Sequence, residues 1–174
     1  IKLLSTATIL VATNDSLYWI KQSGEKLMSK KYGSGVRNIN VLSGDNILLN
    51  IGNSIQLFNK NGDIIEEIYT GFGVAKMTLQ VDNKILINNS SQFVRLNSDG
   101  TTDTTFKTDE LFDTKSGTEL SFYSIGFQSD GKILLCGSFR LKGNFSDSYL
   151  IRLNTDGSLD KSFTSPMFIS MSGF

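Results

Sequence analysis

A ruler of glycines constrains this chain more than any other feature. Gly24, Gly62 and Gly100 stand 38 residues apart, each inside a turn-like stretch: "QSGEKL", "KNGDII" and "SDGTTD". The apolar runs ahead of them keep the same interval, since Ile9, Ile47 and Ile85 each lie 15 residues before their glycine. A fourth copy runs from "KILLC" at Lys132 to "TDGSLD" around Gly157, but here Ile133 precedes the glycine by 24 residues. Nine residues have therefore been added, most simply in "RLKGNFSDS", 140–148. A second insertion, about "DELFDTKSGTELS" from Asp109, separates copies three and four. One period with two insertions is a repeat architecture, in which each unit buries its apolar surface against its neighbours.

Each copy predicts four short strands. The first is marked at period two by Ile1 and Leu3, Ile39 and Val41, Met77 and Leu79, and Ile125 and Phe127. A tight turn follows, "SGDN", "VDNK" or "SDGK", whose Asp-Gly and Asp-Asn pairs suit a two-residue hairpin. The second strand is the "ILL" run and the third is "SLYWIK", "SIQLFN", "QFVRLN" or "YLIRLN". The fourth leaves the glycine turn through "LDKSF" or its equivalent. No stretch carries helical periodicity. The second strands are apolar on both faces, so both faces must be covered, and a four-stranded antiparallel sheet covered by copies of itself is a propeller blade. The fold class expected is all-β: a β-propeller, or partial propeller, of about four such blades. Their approximate bounds are 1–38, 39–76, 77–122 and 123–165, with 166–174 opening a further unit. A stacked β-solenoid is the structural alternative, though its rungs are usually shorter.

The fourth copy, "SIGFQSDGKILLCGSF" followed by "YLIRLNTDGSLDKSF", resembles the delta-60 repeat, a β-propeller repeat of bacterial surface proteins and phage virion proteins. Copy three matches it through "QVDNKILINNSSQFVRLNSDGTTDTTF", whereas copies one and two keep only the spacing and the hydrophobic pattern. The resemblance implies a fold and a location, in a virion or at a cell surface, and carries no catalytic residues. It implies a structural or interaction module, most simply a phage tail or tail-fibre component. A secreted or surface-anchored bacterial propeller that binds glycan or protein is the alternative. An enzyme completed by residues outside the segment is a second alternative. The expected partners are other subunits of an assembly or further blades of the same chain, because Ile1 is not an initiator methionine and a partial propeller is expected.

Composition narrows the chemistry. Lys plus Arg and Asp plus Glu are both 17, so no broad basic field is available for nucleic acid. Histidine is absent, which removes the usual general base and the commonest zinc ligand. The single cysteine, Cys136, sits in an apolar run and reads as a buried, inert thiol. No segment is long and apolar enough to span a bilayer as a helix. An enzyme is not expected from this inventory, nor is a cofactor.

Two kinds of candidate site remain. Asn97, Asp99 and Asp103, and likewise Asn154, Asp156 and Asp160, offer oxygens at spacings that calcium loops use. Copies one and two place Lys21, Ser23 and Leu27, and Asn59, Asn61 and Ile65, at those positions. Calcium is therefore the weaker reading. The stronger is a turn in which Asn and Asp side chains bond the backbone, glycine takes a positive φ, and Phe106 and Phe163 anchor the last strand. The other candidates are the insertions, because departures from a repeat map to loops that bear binding function. Lys142, Asn144 and Phe145 in the first and Phe112 in the second are the contact candidates. Trp19, Tyr18 and Tyr149 read as packing residues.

Overall fold

In a computed structural model the described residues are 1–33, 35–71, 73–88, 92–108, 111–113, 121–143 and 147–165, the last range without the side chains of 147–149. The expected unit at 166–174 and Tyr149's side chain lie outside them. The described chain is all strand and turn. It groups into two compact units, one of residues 1–89 with 95–102 and the other of 90–94 with 103–174.

Four antiparallel sheets follow one another. The first orders β1 (Lys2–Leu3), β2 (Ile9–Ala12), β3 (Ser16–Ile20) and β4 (Lys26–Lys31), each beside its sequence neighbour. The second repeats that order with β5 (Val36–Val41), β6 (Ile47–Ile51), β7 (Ser54–Phe58) and β8 (Ile64–Thr70). The third holds β9 (Lys76–Leu79), β10 (Ile85–Asn88) and β11 (Phe93–Leu96). The fourth holds β12 (Ser121–Phe127), β13 (Ile133–Arg140) and β14 (Asp147–Leu153). This is the meander of a propeller blade, set by the alternation of short apolar runs with tight turns.

Two expectations need correction. The turns between first and second strands are not two-residue hairpins. Leu42 N–H donates to Asn46 O and Asp45 N–H to Leu42 O, which leaves a three-residue loop, and Leu4, Gln80 and Gln128 open the same pattern. The third loop residue, Ala7, Asp45, Asn83 or Gly131, takes φ between 61° and 82°. In three of the loops a type I turn closed by one left-handed residue gives this geometry, while in the second copy Gly44, at 82°, is left-handed as well as Asp45, so the acidic and glycine pairs belong to a longer loop than their identity suggests. Second, the last two sheets have three strands. Their fourth strands shrink to single bridges, Leu96 to Thr102 and Leu153 to Leu159. The cause is a second turn immediately afterwards, described below.

The sheets of the first unit pack through their faces. Leu10, Leu17 and Trp19 of the first sheet form one core cluster with Ile39, Ile47, Leu49 and Phe58 of the second. Trp19 Nε1 donates to Lys60 O at 2.9 Å, so its polar edge is satisfied inside this interface. Asn40 and Asn50 side chains donate onward to Met77 O and Val74 O. In the second unit Phe93, Phe106, Phe112, Phe122 and Phe139 form a connected ring cluster with centroids 5.1 to 6.3 Å apart.

Each turn glycine after the first sits against the preceding copy. A methyl on Gly62 would lie 2.5 Å from the Trp19 ring and the Tyr32 hydroxyl. On Gly100 it would lie 1.8 Å from Ile68 O, and on Gly157 2.8 Å from the Phe106 ring. The φ of all these residues is positive, so both space and conformation demand glycine. Gly24 shares the conformation, but among the described residues no atom comes within 4 Å of the corresponding position. Gly24→Ala should therefore cost about 1 kcal/mol, for conformation alone. Gly100→Ala should cost about 3 kcal/mol, because a backbone carbonyl must also move. Urea denaturation of the two variants measures the difference, and equal losses would show that the close approach contributes nothing.

Candidate functional site

The four glycine turns share one backbone. Lys21, Asn59, Asn97 and Asn154 each donate N–H to the residue four ahead and accept the glycine N–H three ahead. Side chains then reinforce the frame where the sequence allows. Asn59 Oδ1 accepts from the N–H groups of Asn61 and Asp63. In copies three and four the reinforcement passes to the aspartates. Asp99 Oδ1 accepts from Thr101 N–H and Oγ1 at 3.0 and 2.6 Å, and Asp156 Oδ1 from Ser158 N–H and Oγ at 3.0 and 2.7 Å. Asn97 and Asn154 turn their amides toward the same two hydroxyls.

Asp103 and Asp160 build a second turn of the same kind. Asp103 Oδ1 accepts from Thr105 N–H and Oγ1, and Asp160 Oδ1 from Ser162 N–H and Oγ. Their carbonyls accept the N–H groups of Phe106 and Phe163. This is why the last strand ends after one bridge in these copies. Leu27 and Ile65, at the equivalent positions, cannot make that turn, and β4 and β8 run on as full strands.

Asp160 does more than turn the chain. Its Oδ2 accepts from Lys132 Nζ at 2.9 Å and from Arg152 Nε at 2.8 Å, and its side chain is buried. Arg152 in turn lies over the Phe163 ring, 4.8 Å from its centroid. Arg152, Asp160 and Phe163, with Leu141, Leu150 and Leu159, line a cleft of about 310 Å³. The hydroxyl of Ser162 and the Lys132 ammonium hold the Asp160 carboxyl far below the usual carboxylate range, and the Ser162 N–H and Arg152 add to it. Asp99 and Asp156 are also lowered, chiefly by the hydroxyls of Thr101 and Ser158.

The same three residue types recur in copy three as Lys84, Arg95 and Asp103, with Arg95 and Asp103 buried. Copies one and two replace the set together, by Thr8, Trp19 and Leu27 and by Asn46, Leu57 and Ile65. Sequence reading missed this clamp because it scanned for neighbours in sequence. The signal was the joint presence or joint absence of three separated residues across the copies.

These contacts bear on the fit to calcium. The six oxygen-bearing candidates form two hydrogen-bonded turns in each copy rather than converging on one point. Asp160 faces two cations, and among the described residues no three acidic, histidine or cysteine side chains gather as a metal group. The described donors are engaged in turns, with fewer convergent oxygens than the six to eight a hard cation takes.

The insertion candidates fare differently. Phe112, expected as a contact residue, is 5% exposed and packs edge-on against Phe122 and Phe139. It is a core residue, because the two insertions pair with each other. Phe112 bridges Leu141, Asp113 N–H donates to Arg140 O, and Lys142 N–H donates to Leu111 O. β13 and β14, which flank the first insertion, reach 8 and 7 residues. Lys142 is exposed beside it. Asn144 and Phe145 lie outside the described residues. Trp19 is buried as expected, while Cys136 is half-buried rather than enclosed.

Comparison with known proteins follows the same lines. A family described as "Domain of unknown function (DUF5122) beta-propeller" matches residues 80–106 and 128–163, the two copies that carry the aspartate turns. No curated protein matches the chain. Among solved structures, a protein of unknown function from Bacteroides caccae is similar over 90% of this chain and 63% of its own, at 13% identity and a TM-score of 0.59. A streptogramin B lyase is similar over 91% of this chain and 51% of its own, at 17% identity and a TM-score of 0.55. The extracellular domain of a hybrid two-component system from B. thetaiotaomicron is similar over 91% of this chain and 22% of that one, at 12% identity and a TM-score of 0.55. The chain spans less than two thirds of each, and at these identities the likeness shows the fold alone. The architecture is that of a β-propeller repeat.

Two measurements check this account. A folded-state pKa held below the unfolded value makes a carboxylate stabilising above about pH 4, and the stabilisation is lost as pH falls through the folded value. The wild type should therefore lose stability as pH drops below about 4, and Asp160→Asn should flatten that dependence while lowering stability at neutral pH. A melting midpoint unchanged by chelator is the outcome required of turns closed by hydrogen bonds, and a fall on chelation would restore the calcium reading.

Proposed function

We propose that this chain is a non-enzymatic structural and interaction module, most specifically a component of a bacteriophage tail or tail fibre that mediates protein–protein assembly or host-surface binding. The observation that supports it is how the polar chemistry is spent. The clearest constellation of charge among the described residues, Lys132, Arg152 and Asp160, holds its one carboxylate between two cations at a sheet edge, so that this carboxylate is not poised as acid or base. The resemblance of copies three and four to the delta-60 repeat supplies the virion part of the reading.

A second reading has its own support. One structural neighbour is by its name an extracellular domain, which favours a secreted or surface-anchored bacterial propeller that binds glycan or protein. Another is by its name a lyase, and that keeps an enzyme as a third reading on the same type of fold.

Antibodies against the purified chain separate these readings when applied to intact phage particles, intact bacteria and bacterial lysates from the source culture. Decoration of particles at the tail is the expected result. Decoration of intact cells without particles would transfer the assignment to the bacterial surface, and labelling confined to lysates would overturn both.

A further inference from the structure

The four glycine turns differ in the residue that precedes the glycine. Copy one has Ser23, copies three and four have Asp99 and Asp156, and copy two has Asn61. Asn61–Gly62 is the only asparagine–glycine pair in the chain. Such a pair is chemically labile, because glycine has no side chain to shield its backbone nitrogen from the asparagine carboxamide. The reaction balances with water alone. The Gly62 nitrogen gives its proton to solvent base and attacks Asn61 Cγ; a C–N bond forms, the Cγ–Nδ2 bond breaks and ammonia leaves. Water then opens the cyclic imide at either carbonyl. One opening gives aspartate. The other gives isoaspartate, in which the main chain runs through the former side chain and is longer by a carbon atom. Nothing is oxidised or reduced.

Asn61 is exposed, so water reaches its carboxamide. The nitrogen that must attack it is held elsewhere. Gly62 N–H donates to Asn59 O at 2.9 Å, and Asn61 N–H donates to Asn59 Oδ1 at 2.9 Å. The first sheet and the segment after it grip the same turn from the other side. Trp19 Nε1 donates to Lys60 O at 2.9 Å, and the Tyr32 hydroxyl donates to Gly62 O at 2.8 Å. Ring closure requires the Gly62 nitrogen to leave Asn59 O and swing onto Asn61 Cγ. That rotation moves the Lys60–Gly62 backbone off Trp19 and Tyr32, so the seat must open first.

We propose that Asn61 is a site of spontaneous deamidation, and that the seating of its turn on Trp19 and Tyr32 controls the rate. While the seat is closed the Gly62 nitrogen is protected, and reaction proceeds through local opening of this one turn. The two products then part ways. Aspartate is the residue that copies three and four hold at this position, Asp99 and Asp156, so it returns to the seat. Isoaspartate does not. A methyl on Gly62 would already lie 2.5 Å from the Trp19 ring and the Tyr32 hydroxyl, and a lengthened main chain displaces the residue from that gap altogether. An opening that ends in isoaspartate therefore unseats the second sheet from the first permanently.

Peptide mapping by mass spectrometry, with isoaspartate quantified, tests this on the whole chain incubated at mildly alkaline pH in buffer and in urea. In urea Asn61 should convert faster than every other asparagine. In buffer it should convert at least about tenfold more slowly than in urea. Tyr32→Phe and Trp19→Phe each delete one hydrogen bond to the turn. Each, shown to be folded by circular dichroism, should speed conversion in buffer about fivefold and leave the rate in urea unchanged. Chains aged in urea and returned to buffer should divide, with asparagine or aspartate at position 61 in the refolded fraction and isoaspartate outside it. Equal rates in buffer and urea would overturn control by the seat. An Asn61 that stays unconverted in urea would overturn the site, and isoaspartate spread evenly through the refolded fraction would overturn the one-way step.

Discussion

Everything else in this chain hangs on the seating of a turn against the sheet before it. At Gly62, Gly100 and Gly157 the backbone comes so near the preceding copy that no Cβ fits. The contact fixes one copy relative to the next at the outer end of the third strand. Apolar faces alone would leave two sheets free to slide, since the hydrophobic effect is not directional. A backbone wedged under an indole, a carbonyl or a phenyl ring is directional. The three partners differ in chemistry, so what is retained is the shape of the contact.

Two ways of ending a blade coexist in one molecule. In copies one and two a full fourth strand covers the edge, and its apolar side chains Leu27, Ile64 and Ile65 remain partly in solvent. In copies three and four an aspartate cuts the strand short and, at Asp160, gathers a lysine and an arginine beneath it. A buried ion cluster contributes less net stability than its short distances suggest, because desolvating the charges is costly. Its value lies in geometry. Fixing Arg152 over Phe163 sets the ring at the edge of the sheet. Long strands in the early copies and clamped turns in the later ones reach similar ends by different means.

Much of this was legible in the sequence, and the limits were physical. The 38-residue interval located the first three glycine turns, and the doubly apolar second strands implied covered faces, because both are properties of local period. Loop length was misread because Asp-Gly pairs serve two turn types that differ in which residues take a positive φ and in the hydrogen bond closing them. The short fourth strands were misread because Asp103 and Asp160 look like metal ligands until the hydroxyls of Thr105 and Ser162 are seen to donate to them. Phe112 was misread because an insertion was equated with a surface loop. The rings it meets, Phe93, Phe122 and Phe139, are distributed over residues 93 to 139, beyond any local window.

The pairing of the two insertions has a consequence for how such a chain can change. Residues 111–113 form part of the ladder that β13 continues, with Phe112 bridging Leu141 and Asp113 bonded to Arg140. Neither insertion is an independent appendage, and shortening one would strip the other of its backbone partners. Although they arose at separate points of the repeat, they behave as a single accessory module that must be gained, lost or transplanted whole.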